Sequence, residues 1–250
     1  RASSASHRPN HPSLAIYDVG LARVPECYGL IAVGADNSFG LGNGLPWKNS
    51  TDMAWFKHLT MDNVVAVSQK TLDTIPNRLP GRTVNILKRG ESVDFPRRKD
   101  MFFIGGKKTF LANMLNMDGI YVTIIPGTHF CDVRFEIDNI LKAGFTVDFM
   151  GTTTCRTGPS CHLISFVNKE NNRPLQRYKH NVSQFFEPYL KLTAKKHVNI
   201  KPGANGIIEV NEKVYTPKGQ VGIFDVRKMY ADKGLYTSGV TYKREWIGTP

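Results

Sequence analysis

At 250 residues the chain can bury a sizeable core, as one large domain or as one domain with a substantial extension. Hydrophobic content of 41% and charged content of 22% are those of a soluble globular protein, and no apolar run approaches a membrane span, which excludes a helical membrane protein. A net charge of +12 is large for an enzyme of small molecules, and it is unevenly placed: residues 171–250 hold 14 Lys+Arg and 6 Asp+Glu, net +8, which leaves +4 for residues 1–170. Basic charge is most often a solvated face, but concentrated in an appendage it also suits contact with nucleic acid or an acidic protein neighbour.

Residues 1–13 carry no acid, no periodicity and two prolines, and read as an extended arm. The first residue is Arg1, so the expectation is a processed chain or part of a longer one; an Arg- and Ser-rich start also fits the remnant of an organellar targeting segment. Leu14–Tyr17 and Gly20–Val24 can add a short strand to this N-terminal arm, which closes at about residue 26. Gly29–Val33 is an apolar strand. Phe39-Gly-Leu-Gly-Asn-Gly-Leu-Pro-Trp47 then puts three glycines in six residues ahead of Pro46 and Trp47, a loop able to approach a ligand closely. A helix follows, capped by Ser50 or Thr51, with Asp52, Phe56 and Leu59 on one face. Asp52 is there for the helix dipole, or it sits desolvated in a pocket with a raised pKa suited to acid/base work.

Strand-like runs at Asn63–Val67, Val84–Leu87, Phe102–Ile104 and Tyr121–Ile124 alternate with helical patterns, which argues for a mostly parallel sheet with helices on its faces. Phe145–Phe149 and His162–Val167 read as a late antiparallel hairpin. After Asn168 the run Lys-Glu-Asn-Asn-Arg-Pro signals a linker. Beyond it the chain predicts one helix at Val182–Lys191, a hairpin-like alternation over Ile207–Tyr215, and a strand or helix start at Val221–Val226. The four cysteines, Cys27, Cys131, Cys155 and Cys161, have neither Cys-x-x-Cys nor His spacing for zinc and read as reduced thiols, with a Cys155–Cys161 bridge disfavoured.

In this order, with Lys70-Thr71, Leu79-Pro-Gly-Arg82 and Gly105-Gly106 between the strands, residues 28–168 resemble dihydrofolate reductase. The phrase ending at Trp47 looks especially like the reductases of tailed bacteriophages. The resemblance implies an α/β fold: a mostly parallel sheet flanked by helices and closed by an antiparallel hairpin. It divides the chain into an N-terminal arm (1–26), a reductase-like domain (27–168) and a basic, irregular or β-rich extension (169–250).

It further implies hydride transfer from NADPH to dihydrofolate. Asp52 would bind the pterin edge and help protonation, Trp47 would hold a water near it, and Thr123 would stand behind it. Leu30, Ala32 and Phe56 would wall the pterin and aminobenzoyl rings, with Lys57 and Leu79 beside them, and Arg82 would clamp the glutamate carboxylate as a planar charged fork. Leu45 would cover the nicotinamide. Gly105 and Gly106, joined in the family by a cis bond, and Lys107 at the following helix start would hold the pyrophosphate, with Gln69, Lys70 and Thr71 supplying further contacts.

Two departures stand out. Ser68-Gln69 replaces the family's usual Gly-Arg, so Lys88 and Arg89 are the candidates to meet the 2′-phosphate. Phe110 replaces a common tyrosine. The alternative expectation is therefore a non-catalytic, reductase-like subunit of a large assembly, a phage particle or ribonucleoprotein, whose basic arms bind neighbours. The expected compartment is cytoplasmic, the host's if the protein is viral, with virion and mitochondrion as alternatives.

Overall fold

A computed structural model describes residues 25–88, 93, 98–153, 159–170 and 179–187, with the pairs 214–215, 222–223, 241–242 and 247–248. Arg89, Cys155 and the strand expected before residue 25 lie outside the described residues. One eight-stranded sheet organises the rest, in the order β10-β8-β9-β6-β1-β5-β3-β4. Strands β1 (Cys27–Gly34), β3 (Val64–Ser68), β4 (Thr83–Leu87), β5 (Met101–Phe103) and β6 (Gly119–Ile125) run parallel. Against β6 lies β9 (His162–Asn168), and against β9 lies β8 (Phe145–Thr153), both antiparallel. The α/β reading and its closing hairpin are as expected.

The central strands read as near-continuous apolar runs because both faces of the sheet are covered. One face carries Ile31, Val33, Ala66, Phe103, Ile120 and Val122 under α3 (Lys107–Asn113) and α4 (Asp138–Lys142). The other carries Tyr28, Leu30, Phe102, Tyr121 and Leu163 under α1 (Ser50–Thr60). Phe110 is fully buried on the α3 side, with its ring edge-on to Phe135 at 5.6 Å. Between them α2 (Gln69–Leu72) is one turn after β3, and β2 (Ser38–Gly40) pairs with β7 (Val133–Arg134) outside the main sheet.

Three expectations are corrected. Asn49, not Ser50 or Thr51, caps α1, accepting from the Asp52 amide at 3.0 Å, because the helix starts a residue earlier than the Ser/Thr signal suggested. The helix expected at Val182–Lys191 is α5 (Lys179–Phe185), and the chain then straightens into β10 (Phe186–Glu187), where pairing with β8 outweighs helical propensity. The hairpin expected within 207–215 is not local in its described part: β11 (Val214–Tyr215) pairs with β14 (Ile247–Gly248). Gly222–Ile223 is a strand, β12, paired with β13 (Thr241–Tyr242).

Candidate functional site

The glycine loop is closed by paired backbone bonds between Leu41 and Gly44, both 3.0 Å, and is tied to the far side of the site by Asp132. The Asp132 amide donates to the Gly40 carbonyl at 3.0 Å, and Asp132 Oδ2 accepts from the Gly42 amide at 2.8 Å. Asp132→Ala is expected to speed proteolysis between Leu41 and Leu45 several-fold at unchanged Tm. An unchanged cleavage rate would mean that the Leu41–Gly44 pairing holds the loop by itself.

Past the loop, Asn49 does two jobs. Its Oδ1 caps α1 while its Nδ2 donates to the Ser160 carbonyl at 3.2 Å, so the helix start is fixed to the connection ahead of β9. This places Asp52 on the buried face of α1, 8% exposed, with Thr51, Trp55 and Leu59. Phe56, expected on that face with Asp52 and Leu59, is half-buried, and Trp55 is fully buried there.

Burial pushes the Asp52 carboxyl up to about 6, since an ionised group in an apolar setting loses its hydration. The Thr123 hydroxyl acts the other way, toward a lower value. It does so without reaching hydrogen-bond geometry, for Thr123 Oγ1 is buried with no hydrogen-bond partner. Trp47 Nε1 and Thr51 Oγ1 are also buried without one. Trp55 Nε1, on the same helix, makes a fourth; buried polar atoms normally find partners, so four of them in the segments around one carboxylate mark a place suited to a polar ligand or an ordered water.

The walls follow from register. Leu30 lies opposite Tyr121 and Ala32 opposite Thr123 in the β1–β6 pair, so all four share the face under α1. Leu30 is buried and Ala32 half-buried. Trp47 packs on His129 with ring centroids 5.1 Å apart, and the His129 amide donates to Asp36 Oδ2 at 3.0 Å. Leu79 is buried; Leu45 and Lys57 are exposed.

Arg82 is fixed on the same helix as Asp52. Its Nε donates to Thr60 Oγ1 at 3.2 Å, its Nη1 to the Pro80 carbonyl at 2.7 Å, and Thr60 Oγ1 itself donates to the Phe56 carbonyl at 2.8 Å. Eight residues of helix separate positions 52 and 60, roughly 12 Å of rise. A desolvated carboxylic acid thus stands near the start of α1, and a guanidinium is held at its end.

A second group assembles on the far side of β5. Ser68 caps α2, its Oγ accepting from the Thr71 amide at 3.4 Å and donating to Thr71 Oγ1 at 3.0 Å. Gly105 lies against this pair so closely that a Cβ there would fall 2.4 Å from Thr71 Cγ2, and one on Gly106 would be 3.4 Å from both hydroxyl oxygens. The cis bond expected between the two glycines is not found; no described peptide is cis, and Gly106 instead takes φ +65 at the cap of α3. Lys107 is half-buried at the first position of α3, and Lys70 is exposed. Gln69 is exposed, and its Nε2 donates to Asp73 Oδ1 at 2.7 Å. Lys88 is exposed at the end of β4.

A sequence profile described as dihydrofolate reductase matches residues 28–147. The dihydrofolate reductase of Haemophilus influenzae is 30% identical over 111 residues, covering 38% of this chain and 69% of that protein. Dihydrofolate reductase type 9 of Escherichia coli is 29% identical over 118 residues (38% of this chain, 67% of that one), and type 8 is 36% identical over 76 residues (30% and 44%). The chain therefore spans about two thirds of two of these relatives and under half of the third. A solved dihydrofolate reductase from Enterococcus faecalis, complexed with NADP(H) and RAB-propyl, aligns over 58% of this chain and 96% of that one with TM-score 0.49 and 18% identity.

Proposed function

This chain belongs to the dihydrofolate reductase family, and we propose that it reduces dihydrofolate to tetrahydrofolate beside α1, at Asp52. The observation that carries the reading is Asp52, a buried acid raised to about 6 on a wall of apolar side chains, with Trp47 Nε1 and Thr123 Oγ1 left without partners in the segments around it. A carboxylic acid in that range can bind an amino-amide ring edge when ionised and hold a proton when neutral. At pH 7 roughly a tenth of such groups carry the proton, enough to serve as donor. Trp47 Nε1 is suited to hold a water beside the carboxylate, a route for the proton to the ring nitrogen.

Leu30, Ala32 and Phe56 are proposed to wall the ring system, with Lys57 and Leu79 beside them. Arg82 Nε and Nη1 are engaged by Thr60 and Pro80, and the remaining N–H groups of its guanidinium are the ones proposed for a substrate carboxylate. NADPH, when bound, supplies the hydride. Gly105, Gly106, Thr71 and Lys107 are the groups proposed for its phosphates; glycine at 105 is what lets the backbone lie against Thr71, whose Cγ2 a Cβ there would approach to 2.4 Å. Leu45 covers the nicotinamide from the glycine loop, and Lys70, Lys88 and Arg89 are the cations proposed for the adenosine phosphate, with Gln69 beside them.

Asp73 already holds residue 69, so an arginine placed there would be shared with that carboxylate. Gln69→Arg combined with Asp73→Asn is therefore expected to lower the NADPH Kd about tenfold, the order of one charge-assisted hydrogen bond, while Gln69→Arg alone gains less. No change in either would mean that the phosphate is held elsewhere. The binding half of the reading is tested by titrating the full chain with NADPH and following tryptophan fluorescence. Saturable quenching is expected, and its absence would sink the reductase.

The net +8 of residues 171–250 supports an acidic neighbour, protein or nucleic acid, as the partner of the extension, compatible with an additional role inside a larger assembly. No helix among the described residues is long and apolar enough to cross a membrane.

A further inference from the structure

The segment after the closing hairpin is built into the helix that carries Asp52. Strand β10 adds to the outer edge of β8, with Phe186 opposite Thr153 and Glu187 opposite Thr152. Gly151 on β8 admits it: a Cβ there would lie 2.4 Å from the Glu187 carbonyl oxygen. Val182 and Phe186 are buried in the core under α1, and Phe185 is half-buried against it.

Both phenylalanines converge on Trp55, which is 0% exposed. Its ring meets Phe186 edge-on at 5.2 Å, Phe185 at 5.3 Å, and Tyr121 edge-on at 5.8 Å from the sheet side. His58, one turn further on, stacks on Trp55 at 6.1 Å and sits 4.9 Å from Phe185. Trp55 stands at i+3 from Asp52, on the same helix face, and Tyr121 shares its sheet face with Thr123. Rolling α1 far enough to move Asp52 relative to Thr123 would drive the Trp55 ring into Phe186 or Tyr121. The sheet supplies one jaw of this vice and residues 179–187 supply the other.

We infer that Phe185 and Phe186 are positioning residues for Asp52, holding α1 in the rotation that sets its carboxylate against Thr123. The inference rests on the reading of Asp52 as the proton-handling group. It makes the start of the basic extension a working part of the site.

The test is carbon NMR of the full chain labelled at the aspartate carboxyls, beside steady-state kinetics and NADPH binding. The groups facing Asp52 are neutral, Asn49 and Thr51 on its own turn and Thr123 on β6; Lys57 and His58 lie further along α1, and 179–187 offers Val182, Phe185 and Phe186 with Glu187 exposed at its end. The label keeps His58 out of the readout.

In the parent chain Asp52 should titrate near 6. Phe186→Ala should move that midpoint down by about one pH unit and lower kcat about tenfold, with NADPH Kd within twofold, and Phe186→Leu should recover most of both. If Phe186→Ala fails to fold, Phe185→Ala at the half-buried position and Gly151→Ala, which displaces β10 without touching Trp55, should shift the midpoint in the same direction. A fall in Tm with Asp52 midpoint and kcat unchanged overturns the inference and makes the segment packing only. A midpoint that moves in a chain with no turnover at all would instead retire the reductase reading and leave the positioning role standing.

Discussion

Asp52→Asn should cost about 10²–10⁴ in turnover at neutral pH, the range of a general acid, and yet raise the melting temperature. The two effects have one cause. Burial raises the Asp52 pKa to about 6, so between the ordinary carboxylate value, about 4, and 6 the folded chain holds a proton that the unfolded chain releases. The stability that this proton contributes is fully present below about pH 4 and lost as pH rises through about 6. At pH 7 the parent therefore carries an ionised, desolvated carboxylate at a cost of up to about 3 kcal/mol, which asparagine does not bear. Variant and parent should melt together near pH 4 and diverge by several degrees above pH 6, the variant higher. Folate-analogue binding should weaken but stay measurable. The parent's rate should fall as pH rises above 6, the residual rate of the variant should not, and a variant with parental turnover would remove Asp52 from the mechanism.

Gly105→Ala should abolish measurable NADPH binding while folate-analogue binding changes little. The added Cβ would fall 2.4 Å from Thr71 Cγ2, 3.0 Å from Thr71 Cβ and 3.2 Å from Thr71 Oγ1, inside the contact limits of a packed interior. Overpacking of this kind costs typically 1–3 kcal/mol, and here it displaces the Ser68–Thr71 hydroxyl pair as well. Thr71→Ser deletes the methyl responsible for the worst contact and keeps the hydroxyl, so Gly105→Ala with Thr71→Ser should regain a good part of the affinity. A double-mutant cycle with no coupling would mean that the glycine is needed for something other than room beside Thr71.

Most of the scaffold was legible because the signals that specify it are local. Gly29–Val33 and Tyr121–Ile124 are apolar runs that only a sheet covered on both faces accommodates, and the Gly/Pro punctuation between strands gives their order. Asp52 was legible as an acid on an apolar helix stripe, and the structure buries it there. What was not legible depends on partners distant in sequence. Trp55 reads as one more helix aromatic until Tyr121 and Phe186, 66 and 131 residues away, are known to enclose it. Asn49 rather than Ser50 or Thr51 is the cap: three adjacent cap formers carry similar local signals, and the Ser160 carbonyl, 111 residues on, fixes the asparagine. Gln69 looked like a lost cation; its engagement with Asp73 is an i, i+4 pair that the spacing did contain. Phe186–Glu187 has helical neighbours on its N-terminal side and became a strand because β8 presented an open edge.

Reduction is read from the absorbance of the nicotinamide band when dihydrofolate is added to the purified full-length chain with NADPH, at pH 6 and pH 8, with the Asp52→Asn chain alongside. The absorbance is expected to fall only when dihydrofolate is present, to fall faster at pH 6, and hardly to change in the variant. An absorbance that stays constant in the parent while NADPH and a folate analogue both bind would contradict the reductase reading, leaving a site that is assembled but does no chemistry.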